Sequence, residues 1–356
     1  MATLFDPLSL RDLTLRNRIV VSPMQQYSSE NGGANDWHLV HLGSRAVGGA
    51  GLIITESTAV TPEGRSTHRD MGLWDDAQAE PWRRINAFVH GQGARIAVQL
   101  GHFGSKGSRS HPNEGLTYLS PAEGGWQTVS SSAVAPFPGM SLPRPLTIAE
   151  IQTTIAQFGL AAQRAVAAGF DAIELHGAHG YLIHQFYSEL INQRTDAYGG
   201  SFANRTRFAR EVVAQIRRVI PDRMPLLVRI SAVDYVDDPK GWTLEQAVAL
   251  AQELKAGGVD LITASAGGFV FLDKSKVRPG YQVSFATEIR TKAGLPTGAV
   301  GLITAPDAAN DIIEGDKADL VVIAREHLRD PYFATHAAVA LRQTPAVPFQ
   351  SHRAYW

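Results

Sequence analysis

Short apolar runs rich in Val and Ile recur along this chain, each followed by a polar loop and then a stretch whose apolar residues return every three to four positions. Runs of the first kind suit strands and stretches of the second suit helices, so the alternation predicts parallel strands joined by helical crossovers. The strand runs are Ile19–Ser22, Leu52–Thr55, Ile96–Leu100, Ala172–His176, Leu226–Ile230, Leu261–Ala264, Thr297–Val300 and Leu320–Ile323. They are continuously apolar rather than alternating, as strands covered on both faces should be. Eight of them predict an α/β fold, a closed (β/α)8 TIM barrel forming a single domain over residues 1–356. The alternative, an open doubly wound sheet, would carry a G-x-G-x-x-G turn after its first strand, where this chain reads Ser22-Pro23-Met24-Gln25-Gln26-Tyr27.

Helix starts agree with that parsing. Thr147 with Glu150 and Thr243 with Gln246 each match a capping box ahead of an apolar periodic segment. The helix beginning at Ile148 should end near Ala168, because Gly169 suits a helix terminus. Two segments stand outside the rhythm. Leu4–Arg18 reads as an N-terminal hairpin that plugs one mouth of the barrel, and the long stretch Gly101–Pro145, rich in Gly, Ser and Pro, reads as a lid after strand three.

Composition narrows the function. Lys plus Arg number 33 against 34 Asp plus Glu, and a net charge of −1 gives no field to hold nucleic acid or an anionic membrane. The chain has no cysteine, which excludes disulfides, cysteine-ligated zinc, iron–sulfur clusters and a thiol nucleophile. Met1–Arg18 lacks the apolar stretch of a signal peptide, and no run approaches the roughly 20 apolar residues of a membrane span. A cytoplasmic enzyme acting on a small molecule is expected.

In a barrel the working residues lie at the C-terminal strand ends, and here those ends are polar. Gln99 and His102 follow strand three, His176, His179 and Tyr181 follow strand four, Arg229 lies within strand five, and Arg325 follows strand eight. Two imidazoles three residues apart can aim N–H groups at one oxygen; a metal site is the rival, but no nearby carboxylate completes a ligand pattern. Arg229, in a run that should be buried, needs either an ion pair with Glu56 or Glu174 or an anionic ligand. The loops at Val300, Gly301 and Leu302 and at Ala324 and Arg325 suit a phosphate.

Together these residues resemble the Old Yellow Enzyme family, in its short bacterial class III branch, from end to end. The resemblance rests on Asn17-Arg18-Ile19-Val20-Val21-Ser22-Pro23-Met24, Gln99-Leu100-Gly101-His102, His176-x-x-His179-Gly180-Tyr181, and Arg194-Thr195-Asp196-x-Tyr198-Gly199-Gly200-Ser201 with Asn204-Arg205. It implies tightly bound FMN, with Ser22, Pro23, Met24 and Gln25 along the flavin, Ser57 and Gln99 at its pyrimidine edge, Arg229 near N1 and O2, and Val300, Gly301, Leu302, Ala324 and Arg325 at the phosphate. It implies NADPH, or NADH, as reductant and an enone-type acceptor whose oxygen docks on His176 and His179. Tyr181 is then the proton donor, and Tyr27 contacts the substrate. Lys106 and Arg109 are candidates for the nicotinamide phosphate, and the Arg194–Ser201 stretch is expected to stiffen a loop. One departure is Gln25, where the branch typically carries cysteine. The resemblance also implies a homodimer or homotetramer in which the tail, residues 343–356, lies at a subunit interface and Arg353 reaches the neighbour's substrate pocket. Two other classes compete: a phosphate-binding lyase or aldolase, disfavoured because no predicted strand carries a lysine, and a ligand-binding barrel without catalysis.

Overall fold

The computed structural model describes residues 2–137, 140–270, 275 and 277–355; Trp356, the last residue of the predicted interface tail, lies outside them. The chain begins with the hairpin β1 (Leu8–Leu10) and β2 (Leu13–Leu15), antiparallel with Leu8 opposite Leu15. The barrel follows with β3 (Ile19–Val21), β4 (Leu52–Ala59) and β5 (Arg95–Gly101). A small pair, β6 (Val129–Ser130) and β7 (Arg144–Pro145), lies in the lid. The barrel resumes with β8 (Ala172–Gly177), β9 (Leu226–Ser231), β10 (Leu261–Ser265), β11 (Thr297–Ala299) and β12 (Leu320–Ile323). All eight pair in parallel, and β12 on β3 and β9 on β10 complete the closed (β/α)8 barrel.

The pleat sorts the apolar residues into two sets. Ile19, Val21, Ile53, Ile96, Ile173, Val228 and Ile323 pack outward under the helices. Val20, Leu52, Ala97, Ala172, Leu227, Leu261 and Leu320 face the barrel interior, where Leu10, Leu13 and Leu15 of the hairpin join them. The hairpin is therefore a plug, as expected from sequence. Arg16 fastens it by donating to the carbonyls of Ala46, Ala50 and Gln92 at 3.0, 3.0 and 2.8 Å.

The expected helix signals hold. Thr147 Oγ1 accepts from Glu150 N at 3.3 Å while the Glu150 carboxylate accepts from Thr147 N at 2.8 Å, and the helix runs Ile148–Ala167. Thr243 and Gln246 cap the helix Leu244–Ala256 in the same reciprocal way. β4 runs four residues past its predicted end, because a register shift between Ile54 and Ser57 lets it stay paired with β5 as far as Ala59. The lid is ordered by local pairing: Arg109 bridges both Thr67 and Tyr118. No helix among the described residues is long and apolar enough to cross a membrane.

Leu15 has no exposed surface and fills the base of the plug. Leu15→Ala should destabilise the fold by about 2–5 kcal/mol, measured as a shift in the denaturant midpoint; an unchanged midpoint would mean the hairpin only covers the barrel.

Candidate active site

The row of interior side chains turns polar toward the C-terminal strand ends. Gln99 comes two residues after Ala97, Glu174 and His176 two and four after Ala172, Arg229 two after Leu227, and Thr263 and Ser265 two and four after Leu261. Glu174 is wholly buried, accepting from Gln99 Nε2 at 2.7 Å and from Thr263 Oγ1 at 2.8 Å. Burial raises its pKa, against the pull of the Arg229 charge. Glu56 is also engaged: it faces His38 Nε2 at 3.2 Å and accepts from Gln26 N at 3.0 Å. Both carboxylates offered as ion-pair partners for Arg229 are thus held by other groups. Arg229 Nη1 donates to Ser22 Oγ at 3.1 Å, and its buried Nε has no hydrogen-bond partner among the described residues.

That guanidinium lines a cavity of about 350 Å³. Of the predicted cofactor residues, Ser22, Arg229, Val300, Gly301, Leu302, Ala324 and Arg325 come together on its wall. Gly301 has φ +120°, and a Cβ there would stand 3.1 Å from Gln282 N, so only glycine lets this loop pack against Gln282 on the cavity wall. Pro23, Met24, Gln25, Ser57 and Gln99 do not line this cavity. Gln25 Nε2 donates to Ser57 O at 3.3 Å, and Ser57 Oγ is another buried polar atom without a partner among the described residues. A buried cation with an idle N–H, an idle hydroxyl and a glycine-bared loop fit an anionic, phosphorylated, hydrogen-bonding guest of FMN's kind.

A second, larger cavity of about 710 Å³ lies under the lid, walled by Tyr27, Phe103, Arg109, Tyr118, Tyr181 and Phe269 among others; Val270 borders both spaces. His179 lines the smaller cavity, and His176 packs edge-on against Tyr181, which lines the larger one. His179 Nδ1 lies 3.3 Å from His176 Nε2, and the Tyr181 ring centre is 4.8 Å from that of His176. Burial, and then the Arg229 charge, push both imidazoles well below the ordinary histidine range, so both are neutral. Burial raises the Tyr181 phenol above its usual pKa. His179 sits at φ +59°, and Gly268, at φ +149°, packs so closely that a Cβ would be 2.2 Å from Gly180 N. Behind the turn, Gly180 N donates to His184 Nδ1 at 2.9 Å, and His184 Nε2 meets Asp234 at 2.8 Å in full burial. Among the described residues no group of three His, Cys, Asp or Glu could hold a metal ion.

One expectation needs revision. Lys106 is no free cation for a nicotinamide phosphate: its ammonium donates to His179 O at 2.8 Å and to Gly268 O, and burial brings its pKa down to about 7. Arg109 does face the larger cavity, anchored through Nε to Leu116 O at 2.9 Å. Arg353 lines neither cavity of its own barrel; it is exposed in the turn Phe349–Ala354. Arg194 ties Asp196, Ser131 O and Leu146 O together, which accounts for the stiff loop. The sequence reading missed Tyr235, Ser265–Gly268 and Gln282, all on the smaller cavity. Ser265-Ala266-Gly267-Gly268 directly follows a predicted strand, and that small, glycine-ended run was the available signal.

With this geometry described, comparison with known proteins is direct. The model of the NADH:flavin oxidoreductase / NADH oxidase family matches residues 3–343, and the chain belongs to that family. It is 43% identical to the NADPH dehydrogenase of Bacillus subtilis (strain 168) over 354 residues and 45% identical to that of Bacillus velezensis over 355, covering 99% of each chain. Its fold overlays the old yellow enzyme homologue from Zymomonas mobilis with a TM-score of 0.80 at 26% identity, covering 97% of this chain and 94% of the other. The barrel is thus an FMN-dependent NADPH oxidoreductase of the Old Yellow Enzyme type, and the lyase and catalytically inert readings fall away.

Arg229→Met would leave the smaller cavity without its buried cation. FMN retention should fall, with the dissociation constant rising about tenfold or more as a charge-assisted contact is lost; fluorescence titration of the apoprotein measures it, and wild-type affinity would remove Arg229 from the cofactor site.

Proposed function

We propose that the enzyme reduces activated carbon–carbon double bonds, taking α,β-unsaturated carbonyl compounds, and nitro compounds of like polarity, into the larger cavity. The observation that carries this reading is the pair of neutral imidazoles beside Tyr181, with His176 Nε2 and His179 Nδ1 3.3 Å apart and Tyr181 on the wall of the larger cavity. An oxygen seated between those nitrogens would meet two N–H donors. Donors held in a dry site stabilise charge that develops on oxygen in the transition state, each by a few kcal/mol (~3). FMN, when bound, would supply the hydride for the β-carbon, with NADPH or NADH as its reductant. Tyr181, on the wall of the same cavity and kept protonated by burial, holds the proton for the α-carbon. Tyr27 lines that cavity on a left-handed turn at φ +52° and contacts the substrate's oxygen or ring.

For the cofactor, Ser22, Pro23, Met24, Gln25, Ser57, Gln99 and Arg229 would hold the flavin ring, and Val300, Gly301, Leu302, Ala324 and Arg325 its phosphate. Consumption of NAD(P)H fits a cytoplasmic enzyme. The tail supports a shared site: Phe349 is 76% exposed on its own barrel, with Tyr332, Val339 and Tyr355 also exposed. Such apolar surface suits burial against a second copy of the chain, and Arg353, beside it, would then enter the neighbour's substrate pocket.

His176→Ala with His179→Ala should weaken phenolate binding and slow alkene reduction at least a hundredfold, while flavin reduction by NADPH changes far less. Because burial keeps both imidazoles neutral, phenolate affinity in the wild type should trace no histidine titration between about pH 6 and 9. Tyr181→Phe should slow only the oxidative half reaction. Stopped-flow kinetics of the two half reactions checks these outcomes, and equal losses in both would overturn the assignment. Deleting residues 351–356 should weaken association and raise the apparent KM with FMN retained; light scattering that finds a wild-type monomer would rule out a shared site.

A further inference from the structure

The neighbours of each imidazole determine where its proton sits. Ala178 N donates to His176 Nδ1 at 3.2 Å, so that nitrogen carries a lone pair and the proton of neutral His176 lies on Nε2. This Nε2 faces His179 Nδ1, and the far nitrogen of His179, Nε2, lies 2.7 Å from the Ser265 hydroxyl. The backbone of His179 is pinned on both sides, its N–H donating to Ser231 Oγ at 3.0 Å and its carbonyl accepting from Lys106 Nζ at 2.8 Å. With the backbone fixed and each ring nitrogen held by a partner, His176 on one side and Ser265 on the other, ring reorientation is opposed, and the freedom left to His179 is the position of its proton.

Two arrangements satisfy every group. With its proton on Nε2, His179 accepts from His176 and donates to Ser265 Oγ; the imidazoles then bond each other and present no pair of donors. With its proton on Nδ1, His179 Nε2 accepts from the Ser265 hydroxyl, and both rings aim N–H at the space between them. Two N–H groups facing each other repel until an oxygen comes between them, so the second arrangement belongs to the ligand-bound state. Only a group that both donates and accepts can support both, and a serine hydroxyl does. Ser265 is buried, on the inward row of β10, where its hydroxyl bonds only His179 among the described residues.

We infer that Ser265 is a positioning residue whose hydroxyl lets His179 change from hydrogen-bond acceptor to donor when a substrate oxygen binds between the two histidines. The imidazole stays neutral throughout: one proton leaves Nε2 for water, one arrives at Nδ1, and the Ser265 hydroxyl keeps its own and turns. This rests on the reading that these histidines hold the substrate oxygen.

The test is 15N NMR of imidazole-labelled, FMN-loaded enzyme with and without p-nitrophenolate. His176 should be protonated on Nε2 in both states, and His179 on Nε2 when free and on Nδ1 in the complex. One unchanged tautomer of His179, or an imidazolium, overturns the inference. Phenolate titrations followed by flavin absorbance give a second readout. Ser265→Ala should raise the dissociation constant about tenfold, the scale of one buried group left unpaired, while Ser265→Thr, which keeps the hydroxyl, stays within about threefold of wild type. Wild-type affinity in Ser265→Ala also overturns it, and if that variant does not retain FMN, the NMR of the wild type still decides. Unchanged binding in the double histidine variant would sink the functional reading itself; weakened binding there with none in Ser265→Ala would sink only this inference.

Discussion

In a closed barrel the pleat sends every second side chain of each strand inward, and the site depends on what those inward positions carry. Near the hairpin they are Val20, Leu52, Ala97, Ala172, Leu227 and Leu261, which close the floor with hydrocarbon. One step up they are Gln99, Glu174, Arg229 and Thr263; at the next are His176 and Ser265. A slip of one residue in any pairing would exchange this polar stack for Val98, Ile173, Leu175 or Val228 and drive charge under the helices. The same register that buries the core therefore also aims the chemistry.

The electrostatics follow from how the middle layer is satisfied. Glu174 feels the Arg229 charge but makes no hydrogen bond to it, its oxygens accepting from an amide and a hydroxyl instead. The guanidinium charge is thus left facing the smaller cavity and lowers the proton affinity of His176 and His179 along with burial. Neutral imidazoles act as donors to an oxygen without having to give up a proton, which suits polarisation rather than general-acid work. One buried cation thus prepares both an anionic cofactor site and a neutral pair of donors.

Much of this was legible in the chain. The strands could be read because doubly covered strands are unbroken apolar runs, and the helix starts at Thr147 and Thr243 because capping is local chemistry. His176, His179, Tyr181 and Arg229 stood out because polar residues at strand ends break that pattern. Other parts depend on distant partners and were not legible. Lys106 looks like a lid cation until its carbonyl partners at His179 and Gly268 arrive from two other loops. Ser265 reads as a strand end, and only closure of β10 beside β9 sets its hydroxyl against His179. Gln25 sits in a turn where it binds a backbone carbonyl of the next strand, a contact no local pattern encodes.

His179 adopts the left-handed backbone region, which costs a residue with a Cβ on the order of 1–3 kcal/mol. Ser231, Lys106 and the close approach of Gly268 hold it there. Durability and turnover are thus opposed at this one position. Glycine at residue 179 would relieve that strain, but it would leave the Ser265 hydroxyl without its partner and remove one arm of the oxygen clamp, so the strained backbone is retained for what its side chain does.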